Sequence, residues 1–137
     1  MRTDTGQVIR LADYSPADFV LERTDLTFEL DPRSTKVEAR LIFHRRPGVA
    51  ADAPLVLDGD ELSLSGLLID QAEAEASRYT VTPDRLEIRD LPEESPFEIT
   101  VVTIIDPESN TQLMGLYRTN GVYCTQCEAE GFRRITY

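Results

Sequence analysis

Residues 25–43 read Asp-Leu-Thr-Phe-Glu-Leu-Asp-Pro-Arg-Ser-Thr-Lys-Val-Glu-Ala-Arg-Leu-Ile-Phe, and apolar side chains alternate with polar ones on both sides of a central break. Alternation with a period of two is typical of strands that bury one face. The break, Asp31-Pro32-Arg33-Ser34, consists of residues that favour a turn. The stretch therefore predicts a long antiparallel hairpin with one apolar face and one solvated face.

Shorter strands are predicted to follow this hairpin, separated by turn residues. Their ranges are 55–57, 62–68, 79–81, 86–88, 97–105, 113–119 and 121–126. In the second of them, Leu62, Leu64, Gly66 and Leu68 are predicted to lie on one face. Asn120-Gly121, between the last two, is the strongest short hairpin signal. Residues 71–77 have a helix-forming composition, but a connecting turn is equally compatible with so short a segment. The pattern predicts an all-β fold, an antiparallel sandwich or a curved open sheet.

Length and composition indicate a single globular domain over residues 1–137. Hydrophobic residues make up 41% of the chain and charged residues 28%, which is ordinary for a soluble protein. No apolar run approaches the ~20 residues of a membrane span, so we expect no membrane partner. The polar start at residues 1–7 leads into no signal-peptide core, and a cytoplasmic protein is expected.

The charge balance argues against nucleic acid as a partner. There are 25 acidic residues against 14 basic ones, a net charge of −11, whereas phosphate binding needs a clustered positive field. Residues 58–98 alone hold 12 acidic and three basic side chains. This segment is either a solvated outer face or a surface that attracts cationic ligands, such as peptides with a free amine.

The two cysteines, Cys124 and Cys127, are spaced as in half of a structural zinc site. No second pair follows, and His44 is the single histidine. A redox motif would open a helix after a strand, whereas this pair follows predicted strands. Two structural thiols are the favoured interpretation, with metal binding and redox chemistry as the alternatives.

Glu128 follows the least charged stretch of the chain, residues 109–127, in which Arg118 is the single charged side chain. If the last predicted strand continues, Gln126 and Glu128 lie side by side on one of its faces. A carboxylate on such a surface needs a partner. Arg133 or Arg134 is one candidate for this partner, and a ligand ammonium is the other.

Four stretches, in order along the chain, together resemble bacterial aminopeptidase N, the zinc alanyl aminopeptidases of the gluzincin class. The most specific is Cys-Thr-Gln-Cys-Glu-Ala-Glu-Gly-Phe-Arg at 124–133, followed by Ile-Thr-Tyr at 135–137. The others are 25–31, Ala-Pro-Leu-Val-Leu-Asp-Gly at 53–59 and Asn-Thr-Gln-Leu-Met-Gly-Leu-Tyr at 110–117. The resemblance covers the chain from about Tyr14 to Tyr137.

This resemblance implies the curved, saddle-like N-terminal β domain of a longer zinc aminopeptidase. Glu128 then matches the carboxylate that holds the α-amine of a peptide substrate, and Gln126 matches a residue of the pocket for its first side chain. A fixed carboxylate suits an exopeptidase, which must measure the distance from a cationic amine to the scissile bond. The expected partners are peptides with a free N-terminus and the catalytic domain of the same chain.

The family's zinc motif His-Glu-x-x-His does not occur in the 137 residues. Catalytic zinc needs three protein ligands and an open position. We therefore expect neither catalytic residues nor a metal here, no activity from this chain alone, and zinc in the longer parent. Because the family's N-terminal domain continues further, truncation on the C-terminal side is expected. The alternative is a stand-alone β-sandwich module that binds protein or carbohydrate, although the chain has no tryptophan for a carbohydrate platform.

Overall fold

The computed structural model describes residues 10–137, so the prediction from the polar start at residues 1–7 lies outside the described residues. Within that range the chain forms antiparallel strands and short 3₁₀ turns, with no α-helix and hence no helix able to cross a membrane. The strands are β1 (Phe19–Glu29), β2 (Thr35–Arg45), β3 (Leu55–Asp58), β4 (Ser63–Ile69), β5 (Ala72–Glu73), β6 (Tyr79–Thr82), β7 (Arg85–Ile88), β8 (Phe97–Ile105), β9 (Gly115–Thr119) and β10 (Val122–Gln126). The 3₁₀ turns are Leu11–Asp13, Ala76–Arg78 and Gly131–Arg134.

A five-stranded sheet, in the order β1-β2-β8-β4-β5, forms one layer of the molecule. Its centre is the antiparallel pair β2–β8, in which Ala39 lies opposite Val101 and Leu41 opposite Ile99. Every second residue of both strands is buried, as the alternation in the sequence predicts. The predicted turn is also confirmed, because the Asp31 carboxylate accepts hydrogen bonds from two backbone N–H groups of the turn.

A three-stranded sheet, β3-β7-β6, covers the inner face of the first sheet. Leu55, Leu86 and Ile88 pack against the side chains of β2 and β8 in one core, and Leu86 and Ile88 are fully buried. Each such apolar side chain stabilises the fold by roughly 1.5–3 kcal/mol relative to exposure. The two open antiparallel layers confirm the predicted all-β, curved sandwich.

The predicted inward face of β4 is wrong in its second half. The prediction placed 62, 64, 66 and 68 on one face, but Leu67 and Ile69 are the buried residues and Leu68 is only partly buried. Leu64 pairs with Thr103 and Gly66 with Val102, so one extra residue bulges between them. A one-residue shift of register moves every later side chain to the other face, and the alternation alone does not reveal it.

The hairpin β9–β10 and the 3₁₀ turn Gly131–Arg134 cover one end of the large sheet. A second apolar cluster joins them to it, formed by Val37, Ile105, Leu116 and Ile135. The hydroxyl of the buried Thr103 on β8 donates to the carbonyl of Ile135 at 3.1 Å. This anchoring positions the end of β10, which carries Gln126, and the segment between β10 and the 3₁₀ turn, which carries Glu128.

Candidate functional site

The hairpin β9–β10 is built as its turn residues predict. Asn120 and Gly121 both have positive φ, 50° and 80°, the conformation that a tight two-residue hairpin turn requires. Strand pairing runs from Val122 opposite Thr119 to Gln126 opposite Gly115. Gln126 is therefore the last residue of β10, with an exposed side chain at the end of the ribbon.

Glu128 does not continue the strand, so the predicted strand face shared by Gln126 and Glu128 is wrong. Residues 128–130 form a turn, which is closed by the Gly131 N–H donating to the Cys127 carbonyl at 2.9 Å. The two residues nevertheless meet, because the Gln126 side-chain carbonyl accepts the Glu128 N–H at 2.9 Å. The Glu128–Ala129 peptide bond within this turn is cis.

Gly131 allows the turn to fold back onto the strand. A Cβ atom at this position would lie 2.4 Å from the Gln126 carbonyl oxygen and 3.2 Å from the Gly115 nitrogen. Both neighbours are backbone atoms, which cannot rotate away as a side chain can. The close approach therefore requires glycine, and it holds the segment 127–130 against the ends of β9 and β10.

The two arginines that follow this turn both have partners other than Glu128. Arg133 forms an ion pair with Glu130. Arg134 donates to Asp60 at 2.9 Å and also to Glu61. The alternative in which Arg133 or Arg134 neutralises Glu128 is therefore not what the structure shows. In the part of the chain that the structure describes, Glu128 is exposed and has no cationic side chain within ion-pair distance.

Arg134 is the anchor of the C-terminal segment, since its side chain is only 8% exposed. Burial lowers the pKa of Arg134, but hydrogen bonds to Glu61 and Asp60 outweigh that effect, and the pKa is raised overall. A backbone bond from the Asp60 N–H to the Arg133 carbonyl, 2.9 Å, ties the same two segments together. Pairing across more than 70 residues leaves no local pattern, so the sequence alone does not reveal this anchor.

The two cysteines flank Thr125 and Gln126 and differ in their exposure. Cys124 lies in β10 and is partly buried, Cys127 is exposed in the turn, and both are free thiols. Within residues 10–137 there is no group of three or more histidine, cysteine or acidic side chains arranged to hold a metal ion. His44, on β2, instead hydrogen-bonds to Glu22 of β1 across the first hairpin.

A polar cleft of about 230 Å³ opens beside Arg134 rather than at the Gln126–Glu128 turn. Its lining residues are Asp60, Glu61, Ile105, Asp106, Ser109, Asn110, Thr111, Gln112, Leu116 and Arg134. Asn110 on its rim is occupied by hydrogen bonds to nearby backbone, since its side-chain amide donates to the carbonyls of Met114 and Leu116. The two predicted binding residues lie on the open surface, outside this cleft.

Comparison with known proteins yields matches from sequence and from structure, although no family model matches the chain. The aminopeptidase N of Caulobacter vibrioides is 48% identical over all 137 residues, and that of Escherichia coli is 40% identical over 127 residues. The chain spans only 15% and 14% of the length of these two relatives.

Solved structures give the same result. A Legionella pneumophila aminopeptidase A, in complex with aspartic acid, superposes with a TM-score of 0.83 at 32% identity, over 94% of this chain and 15% of that one. An M1 zinc metallopeptidase of Deinococcus radiodurans, bound to a Tyr-Ser-Ala substrate, gives a TM-score of 0.67 over 87% of this chain and 28% of that one. At 18% identity, the second match shows the fold alone.

Proposed function

This chain is homologous to the N-terminal region of M1 zinc aminopeptidases, and we propose that it serves such an enzyme as its substrate-recognition domain. In this proposal, residues 1–137 belong to a longer parent chain that removes N-terminal amino acids from peptides. The Glu128 carboxylate binds the free α-amine of the peptide, and Gln126 contacts its first side chain.

One observation carries the proposal: Glu128 has no cationic partner within residues 10–137, although two arginines follow it within six residues. Arg133 forms an ion pair with Glu130, and Arg134 forms ion pairs with Asp60 and Glu61. A carboxylate held at a fixed turn and left unpaired is suited to a ligand ammonium, because a charge-assisted hydrogen bond is about twice as strong as a neutral one. The ammonium contact then sets the distance to the scissile bond.

Zinc and the catalytic machinery are proposed to lie elsewhere in the parent chain. Residues 10–137 offer no cluster of three metal-ligating side chains, and the donor set of a catalytic zinc site needs three. No chemical step is therefore assigned to this chain, whose contribution is to bind the amine and to orient the peptide.

The catalytic part of the parent is the second partner that we propose. Apolar side chains near the Gln126–Glu128 turn are exposed, among them Val122 at 60% and Phe132 at 44%. They offer apolar area that a packed neighbouring domain would remove from water. The cytoplasmic location stays a prediction, which fractionation of cells producing the parent enzyme would test.

The substitution Glu128→Gln in the complete enzyme tests the proposal, because it keeps the shape of the side chain and removes its charge. Loss of a charge-assisted contact costs on the order of 1.5–3 kcal/mol. We therefore expect kcat/KM for L-alanine p-nitroanilide to fall roughly ten- to a hundredfold.

Glu130→Gln is the matched control for this test. It removes the same charge two residues away, but from a carboxylate that is already paired with Arg133 and exposed. Its kinetics are expected to stay close to those of the wild type. The assignment of Glu128 is refuted if Glu128→Gln leaves kcat/KM unchanged while Glu130→Gln lowers it.

A further inference from the structure

The side chain of Gln126 already has a contact within its own chain, which a pocket-lining role does not explain. Its amide carbonyl accepts the backbone N–H of Glu128 at 2.9 Å. The amide nitrogen takes no part in that bond and remains for a substrate. The bond joins the last residue of β10 directly to the residue proposed to bind the α-amine.

We propose that Gln126 is a positioning residue for the Glu128 carboxylate, an inference that rests on the proposed function. Glu128 is exposed and has no ion-pair partner within the described range, so the backbone of its turn sets the position from which its side chain extends. The other contacts of this turn, Gly131 to Cys127 and Arg133 to Glu130, fix its later residues. The bond from Gln126 is the one that holds residue 128 itself.

Fixing the backbone at Glu128 matters because the amine must be bound at a set distance from the scissile bond. A carboxylate on a loosely held turn has to be ordered when the ligand arrives, and that cost lowers affinity. A turn that Gln126 already holds in place avoids this ordering cost. The gain in affinity concerns the ammonium group, which every substrate carries. It is therefore independent of the substrate's first side chain.

The test uses the complete enzyme with three substrates that differ in the first residue: the p-nitroanilides of L-alanine, L-leucine and L-arginine. Gln126→Met keeps the length of the side chain and removes the acceptor. Gln126→Glu keeps an acceptor for the Glu128 N–H and serves as the rescue variant. Thr125→Val, at the exposed neighbouring position of β10, controls for any change at the end of the strand.

We expect Gln126→Met to lower kcat/KM at least about two- to tenfold for each of the three substrates, in line with the loss of one hydrogen bond. Gln126→Glu is expected to lose less than Gln126→Met, because it keeps the acceptor for the Glu128 N–H, and Thr125→Val is expected to retain wild-type values. In a Glu128→Gln background, Gln126→Met should no longer cause the loss shared by all three substrates, because two residues that act through one contact are not additive.

Three results would overturn the inference while leaving the role of Glu128 intact. These are a loss confined to some of the three substrates, a loss that is fully additive with Glu128→Gln, and no loss at all. They would leave Gln126 as a pocket residue only, or as a residue without a kinetic role. If Glu128→Gln itself leaves kcat/KM unchanged, the proposed function fails, and the positioning role fails with it.

Discussion

Replacing Gly131 by alanine would place a methyl group against the backbone of Gln126. The new Cβ would lie 2.4 Å from the Gln126 carbonyl oxygen, whereas real Cβ atoms essentially never approach a neighbour within 3.0 Å. The backbone must then move by at least 0.6 Å at a point where the Gly131 N–H is bonded to the Cys127 carbonyl. Overpacking of this kind typically costs about 1–3 kcal/mol.

Gly66→Ala is the matched comparison, because its Cβ would meet only Val102 at 3.5 Å, an ordinary contact. Both substitutions restrict the unfolded chain by the same amount, about 0.4–1 kcal/mol in favour of folding. The difference between the two variants therefore isolates the steric cost at Gly131. For a chain of this size, that difference corresponds to roughly 3–12 °C in Tm.

Thermal unfolding of the wild type and the two variants, followed by circular dichroism at one pH, measures this difference. We expect Gly66→Ala to melt at or slightly above the wild-type temperature and Gly131→Ala several degrees below Gly66→Ala. Equal melting temperatures for the two variants would show that the turn yields freely, and the tight packing of Gly131 on Gln126 would then be wrong.

Two further predictions concern the end of the chain and its chemistry. Burial raises the pKa of the Tyr137 phenol above its ordinary value of 10.0, so the phenol's contribution to stability is complete below that value and is lost as pH rises through the folded-state pKa. Urea unfolding from about pH 9 to about pH 11 should therefore show a steeper loss of stability in the wild type than in Tyr137→Phe. Parallel curves for the two proteins would contradict this. The 137-residue chain by itself should neither hydrolyse L-alanine p-nitroanilide nor retain stoichiometric zinc after dialysis; turnover above background, or zinc found by mass spectrometry, would contradict this.

Much of the sheet architecture could be predicted because it depends on local alternation. Strands β2 and β8 bury every second residue without interruption, so their sequence pattern and their faces agree. In β4 the alternation does not predict the buried face correctly, because the extra residue of the bulge moves the later side chains to the opposite face of the strand without changing the composition. The order of the strands, in which β2 joins β8 rather than β3, also depends on packing that no local pattern records.

The candidate site was only partly predictable, for a related reason. The resemblance identified Gln126 and Glu128, and the structure brings them together, but through a turn rather than a continuing strand. The partners of the arginines decide whether Glu128 is unpaired, and Arg134 finds its partners about 70 residues earlier in the chain. Spacing alone therefore left the choice between Arg133, Arg134 and a ligand open.

The pairing of β2 with β8 has a consequence for how the chain is made. Residues 46–96, which include the whole three-stranded sheet, lie between the end of β2 and the start of β8. At about 5–20 residues per second, a ribosome takes roughly 3–10 s to synthesise that interval. Until β8 follows, the apolar side chains Val37, Leu41 and Phe43 of the first hairpin lack the central partner strand that they have in the folded domain. During this interval the unpaired edge of β2 is open to pairing with other chains, a risk that the addition of β8 removes.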